Sequence, residues 1–133
     1  MTNAITIGLS GLNAATSRAN AAASNIANAQ TTGSLDLNKQ NPYTPIDSAQ
    51  TSLENGQGVG AAIVSRNQPF IPSYDPDSPF ADENGTIGTP NVDTTTEFVN
   101  LSLAKTQYSA SLAIIDVAKD LDNELLNLLD DRV

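Results

Sequence analysis

At the N-terminal end of the chain, Ile5, Leu9, Leu12, Thr16, Ala19, Ala23 and Ile26 recur at alternating intervals of four and three residues. That is the seam spacing of a coiled coil, and it predicts a helix from Met1 to about Thr32 with one narrow stripe turned toward a partner. Side chains along the stripe shrink from leucine to alanine. Gly8, Gly11, Ala14, Ala15, Ala21 and Ala22 keep its flanks small, so neighbouring backbones can approach closely. Asn25, Asn28, Gln30 and Gly33 mark where the helix stops. An amphipathic helix folded onto its own domain shares this pattern, and the spacing alone leaves both readings open.

A second helical pattern occupies the other end. Thr94 and Glu97 have the spacing of a reciprocal capping box, which predicts a helix start there. Phe98, Leu101, Tyr108, Leu112 and Ile115 then share one face. Ile114, Val117, Leu121, Leu125 and Leu128 continue on an adjoining one, widened by Leu126 and Leu129. At 1.5 Å per residue the two helices would be roughly 40 Å and 50 Å long, more than a small middle segment can cover. Asp116, Asp120, Asp122, Glu124, Asp130 and Asp131 make the second helix acidic and read as a solvated face.

All seven prolines fall between Pro42 and Pro90, which divides the chain into 1–32, 33–93 and 94–133. Within the middle, Val59–Ser65 reads as a strand and Phe70–Tyr74 as a second, together forming a small sheet or hairpin. Gly56, Gly58 and Gly60 precede a strand and not a helix, so they read as a turn and not as a dinucleotide fingerprint. Asp75, Asp77, Asp82 and Glu83 lack the spacing of a calcium loop and read as Asx turns and solvated acids. Asn84-Gly85 marks a turn, and Thr89 to Asp93 an extended lead-in to the last helix. The expected fold is mainly α with a small β-containing middle, its long terminal helices forming a coiled-coil or helix-bundle layer.

Composition narrows the function. Aromatic residues are 5% of the chain and Trp is absent, so little large apolar area is available for a private core. A net charge of −9 repels nucleic acid and anionic membrane surfaces. The absence of Cys and His removes thiolate nucleophiles, imidazole triads and Cys/His zinc sites. No enzyme, cofactor, metal site or small-molecule substrate is expected. The first residues carry no positive charge before an apolar core, and Ser10, Asn13 and Arg18 interrupt the apolar residues beyond them, so neither a cleavable leader nor a membrane span is expected. A structural subunit that polymerises through its terminal helices fits these constraints. A self-contained helical adaptor or secretion chaperone is the alternative.

Ala23-Ser24-Asn25-Ile26-Ala27-Asn28-Ala29, followed by Thr31-Thr32-Gly33 and preceded by Gly8-Leu9-Ser10-Gly11-Leu12-Asn13-Ala14-Ala15, resembles the N-terminal signature of the bacterial flagellar axial family. Gly58-Val59-Gly60, Pro69-Phe70, Tyr74 to Pro79, Ala81-Asp82, Gly85 and Pro90 to Asp93 are similar to the middle of its proximal rod members. Tyr108-Ser109-Ala110-Ser111, Ala118-Lys119 and Asp122 to Leu126 complete the pattern. Asn41-Pro42-Tyr43-Thr44-Pro45 departs from it, since a more basic stretch is usual there. The resemblance implies a subunit of the periplasmic rod in the flagellar basal body, exported through the flagellar type III apparatus without a cleavable signal. It also implies a tube that transmits torque and passes later subunits through its lumen. Its partners would be other copies of itself, other rod proteins, and basal-body ring or adaptor proteins. Expected subunit-contact residues are Ile5, Leu9, Leu12, Ala19, Ala23 and Ile26 on the first helix. On the second they are Phe98, Leu101, Tyr108, Leu112, Ile115, Leu121, Leu125 and Leu128.

Overall fold

Helix α1 runs from Thr2 to Ala27 and helix α2 from Thr94 to Asp130. A computed structural model describes residues 2–36 and 38–130. The readings placed on Met1, on Asp131-Arg132-Val133 and on the Leu129 and Asp130 side chains fall outside the described residues. The helices pack antiparallel. Asn25 meets Glu97 at one end, and Gly8 and Gly11 meet Ile115 and Ser111 further along.

Residues on this contact stand at multiples of seven positions: Gly8, Ala15 and Ala22, with Gly11 and Asn25, on α1, and Glu97, Ala104, Ser111 and Ala118 on α2. Ala15, Ala22, Ala104, Ser111 and Ala118 are buried. A Cβ on Gly8 would come within 2.6 Å of Ile115 Cγ1, and one on Gly11 would collide with the Ser111 hydroxyl. The stripe from Ile5 to Ile26 therefore runs beside the intramolecular seam. Leu9 and Ala23 are exposed, and Ile5, Leu12, Ala19 and Ile26 are half-buried. Periodicity picks out the largest side chains, whereas two backbones at close range need the smallest between them.

Both helix ends differ from expectation. Helix α1 stops at Ala27, short of Thr32: the Asn28 amide donates to Ser24 O at 2.9 Å, and Ala29 N bonds Ile26 O in a tightened turn. Asp93, and not Thr94, caps α2. Its carboxylate accepts from the Thr96 hydroxyl at 2.6 Å and from Thr95 N at 3.0 Å, and these bonds, the hydroxyl's first, hold its pKa below the usual range. Glu97 is thereby released from a capping role, and its side chain turns into the protein.

The middle forms two antiparallel hairpins. Strand β1 (Ile46–Ser52) pairs with β2 (Val59–Ser65), Ile46 lying opposite Ser65; β3 (Phe70–Tyr74) pairs with β4 (Thr86–Pro90), Phe70 lying opposite Pro90. The two expected strands form as β2 and β3 but do not pair with each other. Each joins a strand the pattern does not reveal, since β1 holds one large apolar residue and β4 contains Gly88 and Pro90.

The β1–β2 hairpin lies along α1. At its tip Gly58 has φ +103 and sits against Ser10, whose hydroxyl oxygen accepts from Val59 N at 3.1 Å. The β3–β4 hairpin attaches just past the end of α1, where Gly33 and Gly88 exchange both backbone bonds at 3.0 and 2.8 Å. Asp82 makes the Asx turn between β3 and β4, accepting from Thr86 N and Asn84 N, both at 2.8 Å. The Thr86 bond is the larger cause of its lowered pKa.

Gly11→Val tests the seam. Valine is the better helix former, so on an open helix face the change would be neutral or mildly stabilising. In the seam it should lower unfolding free energy by about 1–3 kcal/mol through overpacking, read from urea denaturation of the full chain.

Candidate assembly surface

Among the described residues, the buried apolar side chains are Ala14, Ala15, Ala21, Ala22, Ala104, Ala118 and Ile87. Large side chains lie outside. On α2 alone Phe98, Val99, Leu103, Tyr108, Leu112, Ile114, Val117, Leu121, Leu125, Leu126 and Leu128 are exposed, Phe98 by 59% and Leu128 by 64%. Burying a methyl group contributes about 0.8 kcal/mol, and fully burying a leucine or phenylalanine about 1.5–3. The molecule thus hides its weakest apolar groups and leaves its strongest in water.

These groups are organised along α2. Phe98, Leu101, Tyr108 and Leu112 close over Ala15, Thr16 and Ala19 of α1 to form an open groove of about 780 Å3, with Lys105 as its one charged lining residue. Lower down, Ile114, Val117 and Leu121 with Ala4 line a second hollow of about 340 Å3. Beyond Leu121 the last nine residues of α2 run past the start of α1, an overhang of about 14 Å at 1.5 Å per residue. Leu125 and Leu128 stand on that overhang.

The structure brings some of the sequence-selected residues together. Ala19, Phe98, Leu101, Tyr108 and Leu112 share the groove, and Leu121 lies in the second hollow. Ile115 is turned inward against Gly8. Ile5, Leu9, Leu12, Ala23 and Ile26 run beside the seam on α1 and line neither depression.

A buried polar cluster fixes the opposite end of the helix pair, and sequence reasoning had missed it. Asn25 is fully buried and satisfied at both ends of its amide. Nδ2 donates to Ile46 O at 2.8 Å and Glu97 Oε1 at 3.0 Å, and Oδ1 accepts from Ile46 N at 2.9 Å and the Tyr43 hydroxyl at 3.1 Å. Because Tyr43 spends its proton on Asn25, the Ser24 hydroxyl is the donor in their 2.9 Å contact. Glu97, 2% exposed, also accepts from Arg66 Nη2 at 2.9 Å and Asn100 Nδ2 at 3.3 Å. Arg66 binds Asp47 at 2.6 and 3.2 Å and donates to Asn91 O at 3.0 Å. The Asp47 bond is the largest cause raising its pKa above the ordinary arginine value, with burial opposing it and Glu97 adding to the rise.

The cluster joins α1, α2, β1 and the segments flanking β2 and β4. Two sequence features point toward it: Asn25 is a polar residue fourteen positions on from Gly11 of the helix contact, and Arg66 is the only basic residue between Lys39 and Lys105.

No group of three or more acidic side chains among the described residues is gathered to hold a metal, and no described helix is long and apolar enough to cross a membrane. Gly56 and Gly58 serve the hairpin tip.

The described chain thus pairs two terminal helices with an exposed apolar face around a small β middle. Residues 83–128 match the family model described as flagellar basal body rod FlgEFG protein C-terminal. The chain is 33% identical to the flagellar basal-body rod protein FlgC of Salmonella typhimurium strain LT2, over 95% of this chain and 96% of that one. It is 34% identical to FlgC of Aquifex aeolicus, over 90% of each, and 32% identical to FlgC of Agrobacterium fabrum, over 90% and 88%. The chain belongs to the FlgC family of flagellar basal-body rod proteins. It is a structural rod subunit of the flagellar basal body and not an enzyme, and the adaptor or chaperone alternative falls with that assignment.

Arg66→Met should destabilise the chain by about 3 kcal/mol or more, because it strands a buried carboxylate at Glu97. Arg66→Met/Glu97→Gln should recover part of the loss by removing that charge. Denaturant titrations of both variants check this.

Proposed function

We propose that this subunit builds the proximal rod by laying its helix pair against the helix pairs of neighbouring subunits, so that folding is completed only on assembly. One observation carries the reading: the seam within the chain is alanine, glycine and serine, while leucine, isoleucine, valine and phenylalanine remain exposed along α2. Covering the exposed half of each such side chain contributes roughly 1 kcal/mol, and many act together in a polymer. Shear between subunits is then resisted along the whole helix length, which is how a rod transmits torque.

In this reading segments 1–32 and 94–133 form a coiled-coil layer lining the export channel. Segment 33–93 faces outward toward other rod proteins, ring or adaptor proteins and the periplasm. The contact residues are Ile5, Leu9, Leu12, Ala19, Ala23 and Ile26 with Phe98, Leu101, Tyr108, Leu112, Ile115, Leu121, Leu125 and Leu128. In the same reading the subunit is exported without cleavage of a leader.

Leu112→Asp should leave the isolated chain folded, because Leu112 is 40% exposed, yet abolish motility and rod incorporation. Complementation of a strain lacking the gene, with circular dichroism of the purified variant, measures both. Wild-type swimming by the variant would refute the reading.

A further inference from the structure

The groove and the lower apolar stripe lie on opposite sides of the helix seam. On α2, Phe98, Lys105 and Leu112 each follow a seam residue (Glu97, Ala104, Ser111) by one position, about 100° round the helix in one sense. Ile114 and Leu121 follow Ser111 and Ala118 by three, about 60° in the other sense, and Leu128 continues their line seven residues further on. Val117 is on the same side as this second set, lining the same hollow. Each molecule therefore carries two unlike apolar surfaces facing away from each other.

Their charges are also unlike. Lys105 borders the groove and makes no ion pair among the described residues, where Arg66 is the only basic side chain that does. Asp120 stands three residues from Val117, and Glu124 three from Leu121 and four from Leu128, so the two edge the stripe with negative charge. Two grooves facing each other would oppose lysine to lysine, and two stripes would oppose carboxylate to carboxylate. A groove facing a stripe pairs opposite charges around an apolar centre.

We propose that the groove formed by Ala15, Ala19, Phe98, Tyr108 and Leu112 of one copy receives the stripe Ile114, Val117, Leu121 and Leu128 of a second copy, with Lys105 set against Asp120 and Glu124. Because the two surfaces differ, the contact is heterologous: it leaves a free groove at one end and a free stripe at the other, so copies add in one direction instead of closing as a symmetric dimer. This deepens the assembly reading above and rests on it.

The absence of cysteine from the chain makes the test clean. Ser109, in the groove, and Val117, in the stripe, are exposed, so Ser109→Cys and Val117→Cys chains are prepared separately at full length and oxidised alone or mixed. The mixture should give a disulfide-linked dimer and neither chain alone should. Lys105→Glu in the Ser109→Cys chain should cut the yield about threefold or more, with partial recovery when the Val117→Cys chain carries Asp120→Lys. In the unmodified chain, carbodiimide coupling followed by mass spectrometry should find Lys105 joined to Asp120 or Glu124 of another copy. A dimer of Ser109→Cys alone, or no product from the mixture together with no such coupling, overturns the proposal. Motility of the complemented strain is scored separately. If both single-cysteine strains swim while the mixture gives no product, the groove-to-stripe contact fails and the rod-subunit reading stands; if the strain swims without the gene, that reading itself fails.

Discussion

Close approach of two antiparallel helices is the constraint on which the rest of this structure depends. Gly8 and Gly11 leave no room for a side chain against α2, and the buried positions that continue the Gly8 spacing are Ala15 and Ala22, with Ala104, Ser111 and Ala118 on the other helix. Backbones at that distance leave little room for large apolar side chains between them. Leucine, isoleucine and phenylalanine are thus displaced to the flanks of the pair, where they stay exposed among the described residues. An exposed apolar face is therefore a direct result of how the monomer packs.

The polar cluster complements the seam. Small side chains attract weakly and with little preference for one neighbour over the next, whereas a buried amide with four satisfied bonds accepts a single geometry. Asn25 and Glu97 tie α1 to α2, and Arg66, Tyr43 and the Ile46 backbone tie both to the hairpin region. The Gly33–Gly88 pairing holds the second hairpin at the same end. The side-chain hydrogen bonds that tie the elements together are concentrated where the middle meets the helices.

Much of this could be read in the sequence. The two terminal helices follow from apolar periodicity and the confinement of proline to the middle, and β2 and β3 follow from their β-branched and aromatic content. Strand β1 could not be read, because Ile-Asp-Ser-Ala-Gln-Thr-Ser carries no alternation and is held by α1 and β2. The Thr94–Glu97 pair mimics a capping box so well that the inward turn of Glu97 is invisible without Arg66 and Asn25 in place. On the candidate surface, the α2 residues are where a helical pattern puts them. The α1 stripe looked like the seam because large residues dominate a periodicity while small ones make the closest contact.

What matters most is whether the apolar edge of α2 is left unfinished in the single molecule. Amide hydrogen exchange over residues 119–130, compared between the dilute full-length chain and the same chain in purified rods, tests this directly. Exchange should be fast in the dilute chain and slowed at least about tenfold in the rod, as burial by neighbours suppresses local opening. Equal and strong protection in both states would mean that the lone molecule already completes its own core.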